Sequence, residues 1–311
     1  MGLGADFIHL FHELKSRGEL PEARTVAEVG AQQLATTFLA SRGELAKLAT
    51  LFEVTSPPPL PDPTADRIIH GSLRHLAEEA PRASLFWEWL GYRYTSIDID
   101  ASPGSVVLDL NFDAVPSDSR KQYSIVTNFG TTEHIANQAN AFKVIHDLTA
   151  LQGLMIHELP AQGMFNHGLV NYNPKFFCML ARSNGYKVVH FDFRAEPEPY
   201  GLPDYVVDFV RSHGYGEKRD LESYKANDCY LMVVLRKVFD TDYVPPVDVP
   251  TGAETSNPLL RERYWSVFSK NAFVPRGAKL LPYLISRAFH TPPSRWWKGA
   301  LSRLRTLRRR S

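Results

Sequence analysis

Short apolar runs alternate along this chain with longer segments in which apolar residues recur at helical spacing. Strands of a parallel sheet joined by crossover helices produce such an alternation. The runs predict seven strands, at residues 25–31, 92–99, 106–110, 123–129, 154–159, 187–193 and 229–238. Helical patterns lie between them, at residues 33–52, 64–91, 132–151 and 173–184.

Two proline clusters divide the chain. The first, TSPPPLPDP at residues 55–63, cannot continue a helix because proline lacks the amide donor and clashes with the preceding turn. The second, at residues 244–250, follows the last predicted strand and marks a domain edge. We therefore predict an N-terminal helical extension at 1–24, an α/β domain at 25–243 and a C-terminal helical extension at 244–311.

The amino-acid composition bears on where in the cell the protein is expected. The 311 residues include only two cysteines, so a disulfide framework is not expected and a reducing cytoplasm fits best. No stretch approaches the roughly 20 apolar residues that a membrane span needs. The N-terminal segment carries Asp6 and Glu13 where a signal peptide would be apolar, so we interpret it as an amphipathic helix.

The net charge of +1 conceals a basic tail at residues 294–311, which holds seven basic residues and no acid. In this tail Trp297, Leu301 and Leu304 recur at helical spacing opposite basic residues. Such a helix can lie on an anionic membrane surface, which would place the protein peripherally at the inner face of the membrane. A solvated terminus is the alternative. Nucleic acid is not an expected partner, because the remaining chain is mildly acidic and offers no basic groove.

Acidic and small residues follow the first two predicted strands. The run TVAEVGA ends in Glu28 and Gly30, and YTSIDID ends in Asp98 and Asp100. Open α/β sheets bind ligands at the carboxyl ends of their strands, where a glycine admits close backbone approach and an acid accepts hydrogen bonds. An ordinary strand-to-helix turn and solvated turn acids remain alternatives.

The third strand ends in LDLNFDAVP, where Asp109 and Asn111 precede a turn. Their side chains can recognise a base edge, although capping of the turn explains them nearly as well. No GxGxxG follows the first strand, which disfavours a nicotinamide site.

In this order the segments resemble the class I S-adenosylmethionine-dependent methyltransferases, from about residue 25 to residue 238, including YSIVTNFGTTEHI and GLMIHELP. The resemblance implies a Rossmann-like, mostly parallel seven-stranded sheet with an antiparallel closing strand and helices on both faces. It also implies S-adenosylmethionine as cofactor. The implied cofactor-binding residues are Glu28 and Gly30 for the amino-acid part, Asp98 or Asp100 for the ribose, Asp109 and Leu110 for adenine, and Asn128 to Gly130 beneath the methionine part.

The sequence departs from the family pattern at three positions. Gln32 stands where the first motif usually has a second glycine, so the loop must be wider or the cofactor must lie slightly differently. Ser124 replaces a common acid before the fourth strand, and Gln152 replaces the first of a frequent glycine pair before the fifth.

The densest polar segment is TNFGTTEHIANQAN at residues 127–140. Thr131 and Thr132 are predicted to cap the following helix, and Glu133 complements its dipole. His134 exceeds what capping requires, and we predict it as the substrate-facing catalytic base. Substrate contacts are further predicted for Glu133, His157, His167 and Tyr172.

No metal site is predicted, because Ala161 occupies the position of the second histidine in HExxH. Asn173 precedes Pro174 and is expected to cap a helix.

The sequence thus predicts a methyltransferase for a small molecule or a glycan or lipid precursor. A non-catalytic relative that serves as a binding protein and a nucleotide-sugar-modifying enzyme are the alternatives.

Overall fold

A computed structural model describes residues 2–35, 37, 41–59, 81–100, 104–212, 221, 223–248 and 257–264. The first part of the predicted helix at 64–91 and the basic tail at 294–311 lie outside these residues.

The core of the fold is one seven-stranded sheet. Its strands are β1 (Thr25–Val29), β2 (Arg93–Asp98), β3 (Ser105–Val107), β4 (Tyr123–Phe129), β5 (Thr149–Gln162), β6 (Lys187–Gly201) and β7 (Lys225–Arg236). The order across the sheet is β3-β2-β1-β4-β5-β7-β6. Neighbours from β3 to β5 are parallel, whereas β7 is antiparallel to both β5 and β6. The predicted Rossmann-like fold with an antiparallel closing strand is therefore confirmed.

Helices lie between and beyond the strands. They are α1 (Ala5–Ser16), α2 (Arg42–Phe52), α3 (Ser84–Trp89), α4 (Gln138–Leu148), α5 (Pro174–Asn184), α6 (Asp204–Ser212) and α7 (Pro258–Arg263). None of the helices within the described residues combines the length and apolarity that crossing a bilayer requires.

The sheet is packed on both faces, as predicted. One apolar cluster joins strand residues such as Val126 and Leu159 to Phe142 of α4 and Phe177 of α5. The other joins the sheet to α1, α2 and α3. In that second cluster Phe7 of α1 lies 5.6 Å from Trp87 and 5.0 Å from Phe129, measured between ring centroids. The predicted N-terminal extension thus contributes part of the main core.

Two predicted helices were too long. Within the segment predicted as a helix from residue 33 onward, the described helix α2 begins at Arg42, and Gln33 pairs with Arg82 in an isolated antiparallel bridge. The helix predicted at 132–151 is a short 3₁₀ turn, Thr132–His134, followed by α4 and then by the first residues of β5. Asn137 caps the N-terminus of α4, since its side-chain oxygen accepts the Asn140 backbone amide.

The prediction for Asn173 was right. Its side-chain oxygen accepts the Lys175 amide at 2.9 Å, and Pro174 occupies the first position of α5, where its missing amide costs no hydrogen bond.

Candidate functional site

The carboxyl ends of β1 and β2 lie side by side because β1 pairs in parallel with β2 on one side and with β4 on the other. The Gly30 amide donates to the Ile97 carbonyl at 2.8 Å, and the Ala31 amide donates to Asp98 Oδ2 at 2.7 Å. Asp98 Oδ1 accepts the Ile99 amide. The sheet thus brings together the Gly30 turn and the Asp98 carboxylate, two groups that the sequence predicted at one site.

Gly30 adopts φ +79°, a backbone conformation that favours glycine. A Cβ atom at this position would lie 2.1 Å from Thr131 Oγ1, so Thr131 covers the outer surface of the turn. The Thr131 hydroxyl donates to the Val29 carbonyl at 2.8 Å. Thr131 therefore joins β4 to β1 and does not cap a helix as the sequence predicted.

Glu28 is completely buried and points into the protein. Its carboxylate accepts hydrogen bonds from the Tyr94 hydroxyl at 2.7 Å, the Gln32 amide at 2.9 Å and, more weakly, Trp87 Nε1 at 3.5 Å. Burial raises the pKa of Glu28 to about 7, although all three donors oppose that rise. Glu28 thus holds the turn at Gly30 from inside the protein, and both of its carboxylate oxygens already accept hydrogen bonds from protein groups.

Gln32 lies beside Gly30 and could bind a ligand, a role that the sequence did not predict. Its side chain is nearly buried, and Nε2 donates to the Gly30 carbonyl at 3.2 Å. The amide oxygen Oε1 is buried with no hydrogen-bond partner among the described residues. An unpaired buried acceptor is costly in a folded protein, and a bound donor would satisfy it.

The acids after β2 and β3 have local roles. Asp100 is exposed, and its amide donates to Asp98 Oδ1 at 3.3 Å. Asp109 accepts the Asn111 amide at 2.8 Å and so caps the turn, the alternative that the sequence left open. Leu110 is buried, and its carbonyl accepts Asn140 Nδ2 of α4. This contact fixes the turn after β3 against α4.

A buried polar network lies beneath the end of β4. Asn128 Nδ2 donates to Thr132 Oγ1 at 2.9 Å and lies 3.3 Å from His157 Nδ1. The Tyr172 hydroxyl lies 2.8 Å from Thr132 Oγ1 and donates to Gln138 Oε1 at 2.6 Å. The network holds the 3₁₀ turn in place.

His157 and Tyr172 do not reach the surface, with exposed fractions of 1% and 2%. Burial lowers the pKa of His157 to about 3 and keeps its ring neutral. Asn128, His157 and Tyr172 are thus buried within this network, and their cofactor and substrate contacts stay predictions.

The turn after β4 and the loop after β5 bring three ionisable groups together. Glu133 Oε1 lies 3.1 Å from His167 Nε2 and 3.9 Å from His134 Nε2. Gly130 precedes the turn at φ +70°, and its amide donates to the Glu158 carbonyl of β5. The neighbouring ends of parallel β4 and β5 therefore position this cluster.

The three groups differ in exposure. The Glu133 side chain is completely buried, whereas the side chain of His134 is 47% exposed. Burial raises the pKa of Glu133 and lowers the pKa of the less exposed His167. His134 and His167 can thus meet a ligand from solvent, while Glu133 lies behind them.

No protein-family model and no curated protein sequence matches this chain. Solved structures are similar in fold. A methyltransferase dependent on S-adenosylmethionine from Archaeoglobus fulgidus is 11% identical, with coverage of 74% of this chain and 94% of that chain and a TM-score of 0.33. A second such methyltransferase, from Methanosarcina mazei, is 8% identical, with coverage of 72% and 96% and a TM-score of 0.35.

A third similar structure is the 1,6-didemethyltoxoflavin-N1-methyltransferase of Burkholderia thailandensis, solved with 1,6-didemethyltoxoflavin and S-adenosylhomocysteine bound. It is 13% identical, with coverage of 74% of this chain and 77% of that chain and a TM-score of 0.33. At these identities and scores the likeness assigns neither a substrate nor a site residue to this chain.

Proposed function

We propose that this protein transfers the methyl group of S-adenosylmethionine to a small molecule or to a glycan or lipid precursor. The observation that carries the proposal is the hydrogen bonding between the Gly30 turn and the end of β2, in which the Ala31 amide donates to the Asp98 carboxylate and the Gly30 amide donates to the Ile97 carbonyl. Parallel α/β sheets bind their ligands at such a position, outside the carboxyl ends of the strands.

The residues present fit the donor groups of this cofactor. Its ribose hydroxyls and its ammonium group need acceptors, and Asp98 is a half-buried carboxylate at the strand ends. Gln32 Oε1 adds a buried acceptor with no partner among the described residues, next to Gly30. We infer that Asp98 binds the ribose and that Gln32 takes the ammonium, the part that the resemblance assigned to Glu28.

Thr131 limits where the amino-acid part of the cofactor can lie. Because its hydroxyl covers Gly30, that part has to lie beside the turn and not directly on it. The sequence left open whether Gln32, in place of a glycine, widens the loop or shifts the cofactor, and this arrangement supports a shift of the cofactor.

The bound cofactor would supply an electrophilic methyl group, and the protein mainly aligns the acceptor with it. Such alignment can contribute roughly 7–11 kcal/mol in favourable cases. His134 is the most exposed member of the cluster at the end of β4, and we propose that it faces the acceptor. Glu133, buried behind the two imidazoles, orients them.

Thermal unfolding with S-adenosylhomocysteine tests the proposal. At about 100 times its Kd, a ligand that binds only the folded protein adds roughly 2.7 kcal/mol to the free energy of unfolding. We expect a rise in Tm for the wild type and none for Asp98→Ala. The matched control is Asp118→Ala, which removes an exposed aspartate that precedes β4 and lies away from the strand ends. An unchanged Tm of the wild type with both S-adenosylmethionine and S-adenosylhomocysteine would overturn the proposal.

A non-catalytic binding protein is the second candidate. Thr131 and Gln32 both pack against Gly30, so less room remains there for a cofactor, and this favours a binding protein without catalytic activity. This candidate predicts no stabilisation by S-adenosylhomocysteine, whereas a nucleotide-sugar-modifying enzyme predicts stabilisation by a nucleotide-sugar instead.

The basic tail adds a separate proposal. We expect residues 294–311 to attach the protein to anionic membranes at the cytoplasmic face, with about 1 kcal/mol per basic residue near the surface. Sedimentation with vesicles that contain an anionic lipid tests this, and equal binding after removal of the tail would contradict it.

A further inference from the structure

Glu133, His134 and His167 present one carboxylate and two imidazole nitrogens to a common point. The three ligand atoms all lie within 4.8 Å of one another. Glu133 Oε1 faces both rings, and the ring centroids of the two histidines are 5.1 Å apart. Among the described residues this is the one cluster of histidine, cysteine or carboxylate groups with such spacing.

The second carboxylate oxygen of Glu133 points to a missing partner. Oε2 is buried and has no hydrogen-bond partner among the described residues. Water cannot replace that partner, because the whole side chain is inaccessible to solvent. Desolvating a carboxylate oxygen without compensation is expensive, and such groups in native proteins are paired or coordinate a metal ion.

Neither protonation nor an ion pair removes this deficit. A protonated Glu133 would place an unpaired hydroxyl at the same buried position. An ion pair with His167 uses only Oε1, at 3.1 Å, and leaves Oε2 as it is. A cation bound by both oxygens, or by one oxygen with its water, satisfies the carboxylate as a whole.

The loop that carries His167 is held against Glu133 by the backbone. The Leu169 and Val170 amides both donate to the Glu133 carbonyl, at 2.8 Å and 3.1 Å. Gly168 packs so closely that an added Cβ would lie 2.7 Å from Glu133 Cγ. The two ligand-bearing segments are thus fixed to each other before any ion binds, and pre-organisation of this kind favours binding.

We propose that Glu133, His134 and His167 form a binding site for a divalent first-row transition-metal ion such as Zn²⁺. Two imidazoles with one carboxylate are a donor set that such ions prefer. Ligand distances of about 2.0–2.1 Å place the donor atoms of a tetrahedral site about 3.3 Å apart. The 3.1 Å and 3.9 Å separations are close to that value, and half-exposed His134 can rotate to complete the geometry.

Three protein ligands leave at least one coordination position open to an oxygen or nitrogen donor from solvent or from a bound molecule. In this role His134 acts as a ligand and no longer as a general base, because a metal-bound nitrogen cannot accept a proton. The site does not depend on methyl transfer, so either proposal can fail without the other.

Metal titration of the full chain, purified without a histidine tag and stripped with a chelator, tests the site. All proteins carry Cys178→Ser, which removes an exposed thiol as a competing ligand. We expect one Zn²⁺ per chain by calorimetry, with proton release on binding, and visible absorption bands when Co²⁺ replaces it. His134→Ala and His167→Ala should each weaken binding roughly 10-fold or more.

The matched control is His9→Ala, which removes an exposed histidine of α1 and should leave the Zn²⁺ affinity unchanged. Glu133→Gln should weaken binding as well, and His134→Ala keeps the test decisive if that variant fails to fold, because His134 is half exposed. No bound Zn²⁺ in the wild type, or equal affinity in the His134, His167 and His9 variants, would overturn the assignment.

Discussion

Thr131 lies directly over Gly30, so that a single added methyl group on the glycine would come within 2.1 Å of the threonine hydroxyl. The two residues belong to loops that follow different strands, β1 and β4. Their contact closes the surface of Gly30 on which the family resemblance places the amino-acid part of the cofactor. The contact therefore determines whether the cofactor can bind at Gly30 in the way that the family pattern implies.

Gly30→Ala should destabilise the fold through this contact and through its φ of +79°, together by roughly 1–3 kcal/mol. We expect the loss to be smaller when Thr131 is replaced as well, because Thr131→Ala removes the closest atom. Urea unfolding of the two single variants and the double variant measures the coupling. Strictly additive losses would show that the two side chains do not compete for this space.

His134→Ala should slow turnover while it leaves the affinity for S-adenosylhomocysteine nearly unchanged. The reason is position, because His134 follows β4 whereas the proposed cofactor acceptors follow β1 and β2. Methyl transfer assays and calorimetry on the same preparation separate the two quantities. A large loss of cofactor affinity in this variant would contradict the assignment of His134 to the acceptor side.

The pH dependence of stability should carry a contribution from Glu28. Its pKa is about 7 in the folded protein and near 4.5 when the chain is unfolded, so the folded state binds more protons between these values. The contribution is fully present below pH 4.5 and is lost as the pH rises to 7, by up to about 3 kcal/mol.

Urea unfolding of the wild type and Glu28→Gln across this pH range isolates the effect, because other titrating groups are common to both. The wild type should lose stability with rising pH relative to the variant. Parallel pH profiles for the two proteins would show that Glu28 titrates normally.

Tyr172→Phe should cost about 0.5–1.5 kcal/mol of stability, because it removes a buried hydroxyl bonded to Gln138 and Thr132. Cofactor affinity should not change if Tyr172 only supports the site. Tyr205→Phe is the control, since that tyrosine of α6 is 61% exposed. Thermal unfolding and calorimetry give the two readouts, and a change in cofactor affinity alone would assign Tyr172 to ligand contact.

The sequence predicted all seven strands because each contains a short apolar run, but it did not predict how far β5, β6 and β7 extend, since β6 continues through polar residues to Gly201. It also predicted that Gly30 and Asp98 would meet, since parallel pairing brings such ends to one edge of a sheet. The limits of α4 were missed because apolar residues continue past both of its ends, while the cap at Asn137 is a single local signal.

The remaining site features depend on contacts between distant segments. Gln32 and Thr131 are 99 residues apart, and Glu133 and His167 are 34 residues apart. Nothing in the local pattern around any of these residues shows which partner it will meet. For the same reason no local pattern indicated that the Glu28 side chain would point inward to Tyr94.

The packing of α1 has a consequence for the order in which the protein forms. This helix is synthesised before the elements it packs against, because Phe7 and Phe11 have aromatic neighbours in α2, in α3 and at the end of β4. The apolar face of α1 must therefore stay partly uncovered while the more than one hundred residues between Phe7 and Phe129 are synthesised. Trimming this helix to shorten the protein would leave Trp87 and Phe129 without their cover and would favour aggregation.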